Sequence, residues 1–372
     1  MEIISNDKIK VLFLQTNNPG VVWYRMFQFA QRMSDLGLAH SRMFPTWNPK
    51  DLTLTMKDWE GEYNKIMPTL TEMVGWADFV VFQYIHSDKG LSMAQAIRDL
   101  KPTFVEVDDC FSQVPFESIA YDSNMPGYAL DIWATRQIME SHGVITTTNN
   151  LKNHYSQYNT NVHVIPNCID FDLWDSYETH KNDRIRIGWI GGDTHEGDLK
   201  LIKDTLYQIL DEYPNVDVYI VCGNPPKWEK HDRLNLVATW AIITDYAKML
   251  KDFSFDIGLV PLKDNYFNRG KSNLKYLEYS ACRIPTVASN VEPFRNDFKG
   301  LLVEKDEDWY THIGELVENE DFRHKMGENA YYHVKDVFNL DKIAVQYSDL
   351  IREQIGWSGQ MKVLQETSQV MS

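Results

Sequence analysis

Cysteine is scarce in this sequence and scattered where it occurs: Cys110, Cys168, Cys222 and Cys282 form no Cys-x-x-Cys pair. That excludes a disulfide framework or a zinc knuckle as the organising device and fits a reducing compartment. No apolar run approaches the ~20 residues of a membrane span. Residues Met1 to Lys8 have neither the basic stretch nor the apolar segment of a secretory leader, so a cytoplasmic protein is expected. Low-complexity tracts and repeats of solenoid length are absent as well. Positive charge is in short supply: 37 Lys and Arg stand against 53 Asp and Glu, a formal net charge of −16. Such a chain has no broad attraction for nucleic acid or an anionic membrane, although a local basic groove is compatible with it.

What the chain does have is alternation. Its 372 residues, 43% hydrophobic and 24% charged, have a globular composition and suit two domains rather than one core. The 11 Trp and 19 Tyr read as core and cleft lining. Ile9–Gln15 is an apolar strand. The loop Thr16–Gly20 follows, and Val22, Met26, Phe29, Ala30 and Met33 then recur at helical spacing until Gly37 closes the helix. Further buried strands are expected at Phe79–Gln83, Thr103–Val107, Gly143–Thr147 and Val162–Ile165, with helices near 62–75, 90–100, 128–141 and 149–158. After a charged linker at 175–184 the pattern restarts. Strands are expected at Ile185–Ile190, Val216–Val221, Phe255–Val260, Pro285–Ser289 and Leu301–Val303, and helices near 197–212, 244–251, 271–281, 307–317 and 320–336.

Alternation of this kind predicts an α/β fold with doubly wound, mostly parallel sheets. The expected division is residues 1–172, residues 183–338, a helix over 339–356 that Gly356 stops, and a loose polar tail over 357–372. Two such sheets are expected to face each other across a cleft that holds the ligand.

Residues 255–289 are the most informative stretch. An apolar strand from Phe255 leads to the turn Asn268-Arg-Gly-Lys-Ser-Asn273, then to a helix carrying Glu278 and a second apolar strand ending at Ser289. A glycine turn entering a helix presents backbone N–H groups at the positive end of the helix dipole, which suits a phosphate. A carboxylate two turns further on reaches a sugar hydroxyl attached to that phosphate. Together these needs describe a nucleotide-sugar site.

Three segments carry a family resemblance: Val164-Ile-Pro-Asn-Cys-Ile-Asp170, Ile187-Gly-Trp-Ile-Gly-Gly192 and Leu277-Glu-Tyr-Ser-Ala-Cys-Arg-Ile-Pro-Thr-Val-Ala-Ser289. They resemble the interdomain signature, the strand-to-glycine turn and the helix-and-strand motif of retaining GT-B-fold glycosyltransferases. The family is the large glycogen-synthase-like one (glycosyl transferases group 1), and the resemblance covers roughly residues 5–355. It implies two Rossmann-like domains, with the donor on the C-terminal one, the acceptor on the N-terminal one, and a last helix crossing back to the first. The implied reaction moves a sugar from a nucleotide-diphosphate donor to an acceptor hydroxyl, with its anomeric configuration retained and no metal or other cofactor. The chain departs from the pattern in places. Gly270 stands where the family has the first of two glutamates, and the family's diphosphate-binding Arg and Lys fall on Gly192 and Gly197. The Gly-Lys-Ser turn, with Lys271 and Lys275, resembles a variant found in members lacking that first glutamate.

In such a reaction the leaving diphosphate gains negative charge, and stabilising it is the enzyme's main task. The candidates are backbone N–H groups around Gly191, Gly192, Ser272 and Asn273, with Lys271, Lys275 or Arg269 as the cation; alternatively these cations are solvated. Glu278 is read as a bidentate ribose ligand, the alternative being a partner for a nearby lysine. His195 donates to a phosphate or the sugar, or merely caps its turn. Gly20 and Arg25, where the first strand meets its helix, are placed to touch the donor phosphate from the opposite domain, or else form a plain turn with a surface arginine. Glu106-Val-Asp-Asp109 follows a buried strand, and carboxylates there are costly unless they bind cations or do chemistry. Asp108 and Asp109 are therefore candidates to orient an acceptor hydroxyl or take its proton, with His86 as the other acceptor-side candidate.

The acceptor stays open between a glycan and another hydroxyl compound. The compact length and Asn/Tyr-rich texture also fit a phage enzyme acting on hydroxymethylated bases of DNA, which the acidic charge opposes. A basic stripe from Arg25, Arg32, Arg42, Lys50 and Lys57 would favour it. Two other classes share the arrangement: a sugar-nucleotide 2-epimerase, and a catalytically silent nucleotide-sugar-binding protein.

Overall fold

A computed structural model of the chain describes residues 8–15, 19–45, 57–85, 88–118, 121 and 129–370. Two compact units emerge. The first draws on Met1–Asp108, Gly127–Pro166 and Leu340–Ser372, the second on Asp109–Pro126 and Asn167–Asn339. Asp109 thus belongs with the second unit, not with the strand that precedes it.

Among the described residues the first unit holds a six-stranded, wholly parallel sheet. Its strands are β1 (Ile9–Leu14), β2 (Ala39–Phe44), β3 (Phe79–Gln83), β4 (Thr103–Val107), β5 (Gly143–Thr146) and β6 (Val162–Val164), in the order β2-β1-β3-β4-β5-β6. Helices cover both faces of such a sheet, so β3 and β4 are buried along their whole length and read as continuous apolar runs. β2 carries His40, Ser41 and Arg42 and is only partly buried. It lies at the sheet edge, where one side needs no apolar neighbour, and the apolar pattern did not predict it.

The helix after β1 is not regular. Residues Trp23–Phe27 form a π turn between Pro19–Val22 and Gln28–Asp35, and Trp23, Tyr24, Arg25 and Met26 are consecutively buried. The wider turn rotates Arg25 inward, where a regular helical period leaves it on the surface. Gly37 ends this helix at φ +68°, a conformation that costs glycine little.

The last helix runs over Leu340–Val370, which corrects the expectation that Gly356 stops it and that a loose tail follows. A glycine inside a run of good helix formers costs only ~1 kcal/mol relative to alanine. Its opening turns belong to the first unit: Tyr347 sets its ring edge-on to Phe29 (5.0 Å) and Phe13 (6.1 Å), and Arg32 pairs with Asp341 at 3.1 Å.

The second unit repeats the plan. Its strands are β7 (Ile185–Ile190), β8 (Val216–Cys222), β9 (Leu234–Ala238), β10 (Ile257–Val260), β11 (Thr286–Ser289) and β12 (Leu301–Val303), all parallel in the order β12-β11-β10-β7-β8-β9. β9 is the second strand that the apolar pattern did not predict, and it too is a half-buried edge. Chain order reverses between β7 and β10, the place where open α/β sheets leave a crevice at the strands' carboxyl ends. The two strands pair only at Ile187–Ile257 and Gly188–Gly258. Beyond that the Ile190 amide donates to the Tyr279 hydroxyl at 3.2 Å, so a side chain fills the gap between strands. Gly258 makes this possible, because a Cβ there would stand 2.5 Å from the Tyr279 ring.

Candidate donor site in the second unit

The crevice between β7 and β10 collects most of the residues singled out from the sequence. After β7 the chain passes Gly191 and Gly192, turns through a 3₁₀ turn at Asp193–His195, and enters the short helix Glu196–Leu199. After β10 it passes Lys263, forms the short helix Tyr266–Gly270, and starts the helix Leu274–Ala281. The three segments that carry the family resemblance meet here. Asn167 donates to the Ser272 hydroxyl at 2.8 Å, and Tyr279 reaches Ile190 as described.

Asp198 is the hub. It is 6% exposed, and its Oδ1 accepts from the Lys263 amide (2.8 Å) and from Asn268 Nδ2 (3.2 Å). Its Oδ2 faces His195 Nδ1 at 2.8 Å. One buried carboxylate therefore joins the loop after β7 to the loop after β10. Burial holds the His195 imidazole below its ordinary range, the Asp198 bond opposes this, and Lys275 and Lys271 add to the depression.

Lys275 lies along the other side of the glycine turn. Its ammonium donates to the Ile190 carbonyl and stands 5.1 Å over the Trp189 ring. Burial lowers its pKa, with Glu278 opposing. A Cβ on Gly191 would meet this ammonium at 2.8 Å, so that glycine supplies space. The Gly191 amide already donates to the Val221 carbonyl at 3.0 Å, which removes it from the expected set of phosphate donors. The amides of Gly192, Ser272 and Asn273 donate to no described residue. The latter two lie at the positive end of the helix that begins at Leu274, where anions are favoured. Glu278, one turn beyond Lys275, is 5% exposed and accepts from the Tyr246 hydroxyl at 3.0 Å.

Lys271 chelates the Asp109 carboxylate at 2.8 and 3.0 Å and lies 4.3 Å from the Phe267 ring. Two candidates expected on different domains are thus direct partners within one unit. The pair is part-exposed, and such pairs contribute only ~0–1 kcal/mol, so an anion competes readily for the lysine. Arg269 faces solvent in a two-point pair with Asp264 at 2.6 and 3.1 Å.

Other candidates are placed elsewhere. Arg25 is 1% exposed, bonded to Glu106 at 2.6 Å and to the Ile165 carbonyl at 2.8 Å within the first unit. It is a core group, contrary to the expectation that it touches the donor phosphate. Glu106, which lies within β4 rather than after it, is the buried carboxylate that Arg25 pairs. Asp108 is half-buried beside them, and Gly20 sits in the first turn of the following helix. His86, Asn17 and Asn18 lie outside the described residues. Of the expected basic stripe, Arg25 is buried, Arg32 pairs with Asp341, and Arg42 lies 4.2 Å over Trp76. Lys50 and the Lys57 side chain fall outside the described residues. Among the described residues no cluster of three metal-ligating side chains occurs.

Asp198, Asn268, Trp189, Tyr246 and Lys263 were not anticipated. The one available signal was the spacing of His195 and Asp198, three apart at the start of a helix.

No protein-family model matches the chain, and no curated protein matches it by sequence. Solved structures do. Sucrose-phosphate synthase from Thermosynechococcus elongatus is similar over 94% of this chain and 100% of its own, with 13% identity and a TM-score of 0.66. The catalytic domain of starch synthase IV from Arabidopsis thaliana, bound to ADP and acarbose, is similar over 94% and 100%, with 10% identity and a TM-score of 0.64. HepE of Anabaena, in complex with UDP and glucose, is similar over 93% and 100%, with 14% identity and a TM-score of 0.62. The chain has the GT-B fold. In a GT-B protein the β7–β10 crevice is the carboxyl-end switch point of the second domain, so the polar cluster sits where that sheet type binds ligands.

Proposed function

We propose that this GT-B protein is a glycosyltransferase that moves a sugar from a nucleoside-diphosphate sugar to an acceptor hydroxyl. The observation that carries this reading is the convergence of Lys275, Lys271, His195 and Glu278 on the β7–β10 switch point, beside the amides of Ser272 and Asn273, which donate to no described residue. Cations and amides answer the charge that grows on a departing diphosphate. A buried carboxylate at fixed distance along the same helix answers the ribose hydroxyls, with Tyr246 holding it in place. Starch synthase IV with ADP and HepE with UDP are neighbours whose bound ligands support the same assignment.

The finer chemistry follows the family resemblance: retention of anomeric configuration and no metal or other cofactor. Asp108 is the acceptor-side carboxylate in this scheme, and Asp109 holds Lys271 until the donor arrives. A glycan or similar hydroxyl compound is the preferred acceptor. The net charge of −16 and the burial of Arg25 weigh against hydroxymethylated DNA.

The test is turnover with a panel of nucleotide sugars, with and without glycan acceptors and hydroxymethylated duplex DNA. Nucleoside diphosphate released only with an acceptor supports transfer, and the anomeric signal of the product decides retention. Interconversion of the donor without diphosphate release contradicts it and favours an epimerase.

A further inference from the structure

The pairing of His195 with Asp198 does more than shape a turn. The Asp198 carboxylate accepts from the Lys263 amide and Asn268 through Oδ1, so Oδ2 is turned to His195 Nδ1. An ionised carboxylate only accepts, so Nδ1 carries the proton and the neutral ring offers Nε2 as a bare lone pair. Nε2 bonds to no described residue, and the side chain is 23% exposed. Its surroundings are cationic. The Trp189 ring lies 6.0 Å from the imidazole and 5.1 Å from the Lys275 ammonium, and Lys275 and Lys271 both act on the imidazole electrostatically. Of the other charged groups packed here, Lys263 pairs with Glu117 at 3.7 Å, Glu278 sits beyond Lys275, and Asp193 accepts from the Asn224 amide and side chain.

A bare lone pair cannot bond to a phosphate oxygen, because both are acceptors. We propose that His195 takes up one proton when a nucleoside diphosphate group occupies this site, and that Asp198 positions the ring so the new Nε2–H donates to a phosphate oxygen. This inference rests on the donor-site reading above. The proton comes from solvent, Asp198 stays ionised, and no covalent bond changes. Burial first, and then Lys275 and Lys271, hold the proton off, and a diphosphate supplies the negative charge that offsets them. Affinity should therefore fall as pH rises between the depressed pKa of the unliganded ring and the raised pKa of the liganded one, by up to about tenfold per pH unit.

The experiment is isothermal titration with intact UDP-, ADP-, GDP- and dTDP-glucose, whose diphosphates exchange no proton near neutral pH. It is repeated at one pH in buffers of different ionisation enthalpy. Wild type should take up close to one proton per ligand bound, and His195→Gln should bind more weakly with no uptake and a flat pH dependence. Asp198→Asn separates positioning from mere shape. Its carbonyl must keep facing the Lys263 amide and Asn268, so its NH₂ faces Nδ1 and moves the ring's proton to Nε2. That variant should bind without proton uptake although the imidazole is intact, with a thermal melt reporting its fold. Binding by wild type with no proton exchanged, or equal uptake in His195→Gln, overturns the inference and leaves the donor site standing. Absence of binding by every nucleotide sugar overturns the donor-site reading, and this inference with it.

Discussion

The two units place charged side chains at the same kind of location, the carboxyl ends of parallel strands, and use them in opposite ways. In the first unit Arg25, turned inward by the π turn, closes on Glu106 and the Ile165 carbonyl, and the pair is sealed from solvent, 1% and 0% exposed. In the second, Asp198 and Glu278 are buried and Lys275 partly so, yet His195 Nε2 and three backbone amides have no described partner. A strand end holding charge is thus not by itself a site. What distinguishes the second unit is polar capacity that solvent or a ligand can reach, as at the 23% exposed His195 side chain.

Breaking the sealed end should give the largest effect. Arg25→Ala strands a buried carboxylate, and removing one partner of a buried pair costs ~3–5 kcal/mol. Chemical denaturation should show that loss, while the folded fraction binds nucleotide with unchanged affinity. At the open end the outcome inverts. Glu278→Ala should lower nucleotide affinity by roughly tenfold to a hundredfold, about 1.5–3 kcal/mol of charged hydrogen bonding, with little change in the melting temperature. Gly258→Ala probes the frame that holds the crevice open, since its Cβ would displace the Tyr279 ring. A stability loss of about 1–3 kcal/mol is expected, as for an overpacked core, with weaker nucleotide binding beside it. Lys271→Ala removes a part-exposed pair worth ~0–1 kcal/mol, so it should scarcely change stability but weaken nucleotide binding several-fold. Arg269→Ala, in a solvent-facing pair with Asp264, should change both measurements least.

The same contrast explains what was legible beforehand. Interior strands such as β3, β4, β7 and β10 are covered on both faces, so they appear as apolar runs, and with them came the α/β class. β2 and β9 are edges, half solvated, and left no such run. Lys275 and Glu278 were legible because one helix fixes their spacing. Asp198 was not, because its importance depends on two loops that are about 65 residues apart and meet only when β7 and β10 lie side by side. Arg25 was misplaced for a related reason: a π turn does not announce itself in a helical period. Asp109 looked like part of a carboxylate cluster, and only the folded chain shows it turned to Lys271.

The central claim is that the open end in the second unit holds the donor nucleotide. Titration of the nucleotide-sugar panel into wild type, Glu278→Ala and Arg269→Ala tests it most directly. The account predicts that at least one nucleotide sugar binds wild type and Arg269→Ala alike and binds folded Glu278→Ala at least about tenfold more weakly. Equal affinity for wild type and Glu278→Ala would contradict it.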